Sequence, residues 1–256
     1  MKRLLNTCVS SLRRAFDRLR FKSANFKSTH QPANDAPVPA IRAARKAGKV
    51  GRASKLAADF PRDISKEDIL KLPIRRYQGE VFLVATPEAL ALAMTDIRQE
   101  SVVGFDTETR PAFTKGEHHL PCLAQIATAR AVYLFQLQRL DCAEALAELI
   151  AAPSIRKAGV ALAHDLRELA LLYPLAPAAV FDAGLVARRH GIKQTGLRNL
   201  AGLFLGFRIA KGQRTSNWAA PDLSAAQIGY AATDAWVSRE LYLHLMHLGL
   251  VEPAQT

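Results

Sequence analysis

The stretch VVGFDTETR, Val102 to Arg110, limits what this chain can fold into more than any other. Val102, Val103 and Phe105 make the apolar run of a buried β-strand, but the run passes directly into Asp106 and Glu108. Buried carboxylates are costly unless a cation neutralises them. At i and i+2 of a strand the two acids share one face, with Thr107 on the other. Two converging carboxylates are hard oxygen ligands suited to Mg2+ or Mn2+. By itself the pair is weak evidence: a D-x-E is expected about once by chance in a chain of this length, and a solvated strand end accounts for it.

Two later stretches add acids. GVALAHDLREL places Asp165 at a strand-to-helix junction, where stabilisation by the helix dipole is a sufficient alternative. IGYAATDAW places Tyr230 and Asp234 four residues apart. Four residues advance a helix by about 400°, so phenol and carboxylate share a face. Ala231, Ala232, Ala235 and Trp236 surround Asp234 in sequence, and an acid in so apolar a stretch needs a partner. The simplest is a Tyr–Asp hydrogen bond in the core.

The periodicity between these points predicts an α/β domain. VFLVAT, SVVGFDTE, CLAQIAT, AVYLFQL and IRKAGVAL read as strands, the third and fourth forming a hairpin across Ala129 and Arg130. PEALALAMTDIRQE, CAEALAELIAA, HDLRELALLY and TGLRNLAGLFLG read as helices, the last closed by Gly206. AVFDAGLVARRH reads as a short extended entry and then helix. A long helix starts at a Ser224 cap and closes at Gly249, and Ser65 caps a short one.

With 49% hydrophobic residues, the chain can fill one sizeable core. Its net charge of +12 is unevenly spread: residues 1–62 hold 15 Lys and Arg against 3 Asp and Glu, and residues 63–256 hold 20 of each. We therefore divide the chain into a basic, largely disordered tail (1–62) and a folded domain (63–256). Such a tail suits a polyanion, nucleic acid or an anionic membrane surface, or serves solubility alone. Within it Leu5, Val9, Leu12, Phe16 and Leu19 follow helical spacing, which predicts an amphipathic helix over 3–21. Three readings of that helix compete: a mitochondrial-type transit peptide, a membrane-surface helix or a partner-docking helix. The three cysteines form no C-x-x-C pair, which argues against a zinc site and suits a reducing compartment. No apolar run reaches the roughly 18 residues of a membrane span. The expected location is cytoplasmic, or mitochondrial if the N-terminal segment is a transit peptide.

Taken in order, FDTET, GVALAHDLREL and YAATDA resemble the three exonuclease motifs of the DEDD superfamily, and a Tyr four residues before the last Asp marks its DEDDy branch. SNWAAPDLSAAQIGYAATDAW resembles the corresponding block of ribonuclease D and Werner-type 3′–5′ exonucleases. The resemblance covers roughly residues 79–250. It implies a ribonuclease H-like mixed β-sheet with the acids at one end. It also implies two divalent cations, Mg2+ or Mn2+, about 3.5–4 Å apart. Asp106 would lie between them, Glu108 and Asp234 would complete one shell, and Asp165 would hold the other. Tyr230 would orient the attacking water. The implied activity is hydrolysis of phosphodiester bonds from the 3′ end of single-stranded or frayed DNA or RNA, releasing 5′-mononucleotides. Helical nucleic-acid-binding modules follow the catalytic domain in ribonuclease D proper, and none is expected in this sequence, which ends at Thr256.

Three other readings accompany the acids. Thr107 is expected to touch the terminal nucleotide through its backbone, or only to pack in its strand. Lys211 and Arg214, in RIAKGQRTSNW, are candidate phosphate contacts or members of a solvated loop. Trp218, His118, His119, His164 and Asp182 read as structural: a helix-entry aromatic, a polar loop, a helix-entry residue and a helix cap. The alternatives to an enzyme are a non-catalytic nucleic-acid-binding protein on the same fold, which a missing acid would favour, and an interaction scaffold recruited by its tail. No acid is missing.

Overall fold

The computed structural model describes residues 60–251, so the basic segment up to residue 59 and its expected helix lie outside the described residues. Ser65 accepts a hydrogen bond from the Asp68 N–H and opens α1 (Lys66–Lys71), as expected. Six strands follow: β1 (Glu80–Val84), β2 (Val102–Thr109), β3 (Pro121–Ala127), β4 (Ala131–Gln136), β5 (Arg156–Gly159) and β6 (Val180–Asp182). They form one mixed sheet in the order β1-β4-β3-β2-β5-β6. β3 runs antiparallel to both neighbours, and the other pairs are parallel. The β3–β4 hairpin turns where the sequence places it, closed by the Thr128 N–H on the Ala131 carbonyl at 2.9 Å.

Helices cover both faces. α2 (Pro87–Ile97), α3 (Ala143–Ala151) and α4 (Leu162–Leu169) press Met94, Ile97, Leu146, Leu149, Ile150 and Leu166 against Val103, Phe105, Ala124, Ile126 and Phe135 of the sheet. The opposite face is covered by α5 (Ala183–Arg189), α6 (Leu197–Leu200), a π-helical turn (Ala201–Leu205) and α7 (Ala225–His247). α7 starts in a reciprocal Ser224–Gln227 capping box, which satisfies two otherwise unpaired N–H groups. It lies against the sheet so closely that a Cβ on Gly104 would fall 1.9 Å from the Ala235 carbonyl oxygen.

Two segments differ from their sequence patterns. IRKAGVAL keeps strand geometry only to Gly159, because Ala161 takes a left-handed φ of 63° and α4 begins at Leu162. The expected helix in TGLRNLAGLFLG forms as α6 running into the π-helical turn, with Gly206 closing it at φ 69°. Among the described residues no helix is long and apolar enough to cross a membrane.

Candidate active site

Because β2, β5 and β6 are parallel, their carboxyl ends open on one edge of the sheet. Asp106 and Glu108 leave β2 there, and Asp165 follows from the first turn of α4, just past the end of β5. The seat of α4 is tight, since a Cβ on Gly159 would meet Leu162 at 2.5 Å and the Phe105 carbonyl at 2.6 Å. Residues 102, 104, 106 and 108 alternate onto the α7 face, where the first half of α7 presents Tyr230 and Asp234. Four acids from three separate stretches of sequence thus share one electrostatic environment.

That environment shows in their acidities. Burial pushes the Asp106 carboxyl well above its usual range, and the charges of Asp165, Asp234 and Glu108 push it the same way. Glu108, only 7% exposed, is raised to about 9 by burial and then by Asp234 and Asp165. Asp234 is raised to about 7 by burial, with the Tyr230 hydroxyl hydrogen-bonded to it and acting in the opposite sense. Asp165 is raised by burial against a hydrogen bond from Thr107. Burial and the neighbouring acids raise the Tyr230 phenol in turn, so it stays protonated and donates to Asp234. Such mutual elevation marks a functional site more often than a structural one.

Fit to a metal rests on donor type and charge. The cluster offers carboxylate oxygens, the ligands of hard divalent cations, and a crowd of acids that a bound cation can relieve in place of protons. Among the described residues no three His, Cys, Asp or Glu side chains already converge as an ion cage, so a cation would have to draw these carboxylates together.

Thr107 connects two of the acids. Its N–H donates to Asp106 Oδ1 at 2.9 Å, and its hydroxyl, on the opposite face, donates to Asp165 Oδ1 at 2.5 Å. The loop carrying Lys211 and Arg214 passes over the Tyr230 ring, where a Cβ on Gly212 would lie 3.3 Å away. Arg214 is exposed and its charge reaches Glu108, while Lys211 is exposed on the same loop. Trp218 is buried and tilts against Tyr230 with ring centres 6.1 Å apart, a wall rather than a stacking surface. His118 lies 2.7 Å from Glu168 on α4 and His119 lies 2.8 Å from Glu117, so these side-chain contacts hold the polar loop. His164 contacts Arg167, and its charge favours ionised Asp165. Asp182 caps α5 by accepting from the Gly184 and Leu185 N–H groups, as expected.

Sequence reasoning missed Arg198 and Gln125. Arg198 on α6 extends its positive field to Asp234. Its signal is a lone cation in the largely apolar stretch TGLRNLAGLFLG. Gln125 is a polar residue in the middle of the CLAQIAT strand.

Known proteins share this chain's family and fold. A 3′–5′ exonuclease family profile matches residues 81–249. Ribonuclease D of Acidiphilium cryptum is 34% identical over 168 residues, which cover 64% of this chain and 42% of that protein. The chain thus spans less than half the length of this curated relative. Among solved structures, the Nibbler EXO domain of Aedes aegypti superposes with a TM-score of 0.61 at 23% identity, over 68% of this chain and 94% of that one. Escherichia coli RNase D superposes with a TM-score of 0.60 at 22% identity, over 68% and 45%. These two likenesses speak for the fold, a ribonuclease H-like sheet, and the family profile spans the core from β1 through α7. The chain belongs to the 3′–5′ exonuclease family, in its DEDD-type branch.

Proposed function

We propose that this protein is a metal-dependent 3′–5′ exonuclease, with residues 63–256 as its catalytic domain. The observation that carries the reading is the shared, buried electrostatic environment of Asp106, Glu108, Asp165 and Asp234 at one end of the sheet, each raised in pKa, beside a Tyr230 hydroxyl hydrogen-bonded to Asp234. Asp106, Glu108 and Asp234 would hold one divalent cation, and Asp106 with Asp165 a second, Mg2+ or Mn2+ in either place. When bound, such ions neutralise charge at the phosphate and make an attacking water more acidic.

The side chains do the rest. Tyr230, its single O–H given to Asp234, orients a water by accepting a hydrogen bond from it at the phenolic oxygen, and does not act as a base. Thr107 holds Asp106 through its backbone N–H and Asp165 through its hydroxyl, which fixes both carboxylates. Arg214 and Arg198 place positive field beside Glu108 and Asp234, where the phosphate would lie. Lys211 extends this charge along the loop, and the excess of basic residues in 1–62 adds non-specific affinity for the strand. The water oxygen bonds to phosphorus and gives up a proton to solvent, the bond to the preceding 3′-oxygen breaks, that oxygen takes up a proton, and a 5′-mononucleotide leaves. The substrate is nucleic acid with a free 3′ end. The E. coli RNase D is described as an exoribonuclease in structured RNA processing, which supports including RNA.

The test uses 5′-labelled RNA and DNA oligonucleotides with Mg2+ or Mn2+. The expected result is a ladder shortening from the 3′ end, abolished by EDTA. Asp106→Asn should slow it by about a thousandfold, because several kcal/mol of charge stabilisation depend on that carboxylate. Binding without shortening of either polymer would overturn the reading in favour of a non-catalytic nucleic-acid-binding protein.

A further inference from the structure

Gln125 sits in the middle of β3 with 0% exposure, and neither its amide nitrogen nor its amide oxygen has a hydrogen-bond partner among the described residues. Native interiors rarely leave both ends of an amide unmet, and a strand covered on both faces would pack better with Leu or Met here. The register says where the side chain lies. Across β2 its partner is Asp106, and across β4 it is Leu134. Directly opposed residues present side chains to one face, with Cβ atoms about 4.5–5.5 Å apart. That face belongs to α7, since Leu123 and Ala127, two residues to either side, pack with Ala231 and Ala235. Gln125 therefore stands beside the carboxylate that the other three acids crowd. Asp106 Oδ1 already accepts from the Thr107 N–H, which leaves Oδ2 for another donor.

We propose that Gln125 is a positioning residue for the acid cluster: when a divalent cation draws the carboxylates together, its unpaired amide NH2 donates to the second oxygen of Asp106 and fixes the orientation in which that carboxylate meets the cation. An amide suits the place because it donates without adding charge. A Lys there would occupy the cation's place, and a Glu would add a fifth carboxylate. This role deepens the exonuclease reading and rests on it.

The experiment measures Mn2+ binding to the full chain by calorimetric titration, for the wild type, Gln125→Leu and Gln125→Met, beside the melting temperature of each in EDTA. Both substitutions keep the volume and remove the unpaired amide, so the metal-free Tm is expected to stay level or rise. Mn2+ affinity is expected to weaken about tenfold or more in both variants, the range seen when residues supporting metal ligands are changed. Mn2+ affinity within twofold of wild type in a folded variant would overturn the role, whatever happens to the rate. So would a fall in metal-free Tm accompanying the weaker binding, because that marks a packing residue. If the wild type itself bound no Mn2+ and shortened no oligonucleotide, the exonuclease reading would fall, and the Gln125 role with it.

Discussion

The two faces of the sheet are built differently. Under α2, α3 and α4 the contact is made by large side chains, with Phe82, Phe105, Phe135, Leu146, Leu149 and Ile150 all buried. Beneath the first half of α7 it is made by small ones: Gly104 on the sheet and Ala231, Ala232 and Ala235 on the helix. The α7 face also buries Glu108, Gln125 and Asp234. Large side chains interlock and remove much apolar surface from water, about 1.5–3 kcal/mol for each fully buried Leu, Ile or Phe. Small ones let backbones approach, and a close backbone sets side-chain positions on neighbouring elements with little slack. One face supplies stability, and the other supplies the precision with which Tyr230 and Asp234 meet Asp106 and Glu108.

A pair of substitutions sets the faces against each other. Gly104→Val should cause the largest loss, since even its Cβ has no room against the Ala235 carbonyl and the Arg239 nitrogen. Overpacking of this kind costs about 3 kcal/mol or more, and α7 must shift, so exonuclease rate and Tm should fall together. Leu149→Ala on the other face should lower stability by about 2–5 kcal/mol while leaving the rate per folded molecule near wild type. Equal losses of rate in the two variants, after correction for the folded fraction, would erase the distinction between the faces.

A smaller effect is expected from pH. In the metal-free protein all four acids hold their protons more tightly folded than unfolded, where they titrate near 3.8 or 4.5. Their contribution to stability is therefore complete below about pH 4 and is lost as pH rises through the folded values, about 7 for Asp234 and about 9 for Glu108. Tm in EDTA should decline from pH 5 to pH 9, and Mn2+ should reduce the decline. An Asp234→Asn variant should show a shallower slope. A metal-free Tm that rises over this window would contradict the crowding of the acids.

Much of this was legible in the sequence because acid motifs interrupt apolar runs. Asp106, Glu108 and Asp234 stand out because each breaks a pattern that would otherwise be core, and the Ser224 cap and the hairpin at Ala129–Arg130 carry their own local chemistry. Gln125 was not legible. In CLAQIAT a polar residue at one strand position reads as solvent-facing, and only the burial of both sheet faces shows otherwise. The hydroxyl of Thr107 was equally silent, since its partner Asp165 lies 58 residues away. The π-helical turn at Ala201–Leu205 has the same apolar spacing as an α-helix, so periodicity alone does not separate them.

The central claim is that four acids from β2, α4 and α7 meet to hold divalent cations. Crystals of the full chain grown with Mn2+, with diffraction recorded at the manganese absorption edge, test it most directly. Anomalous peaks within coordination distance of Asp106, Glu108, Asp165 and Asp234 are the predicted result. Manganese located elsewhere on the protein, with these four carboxylates left apart, would contradict it.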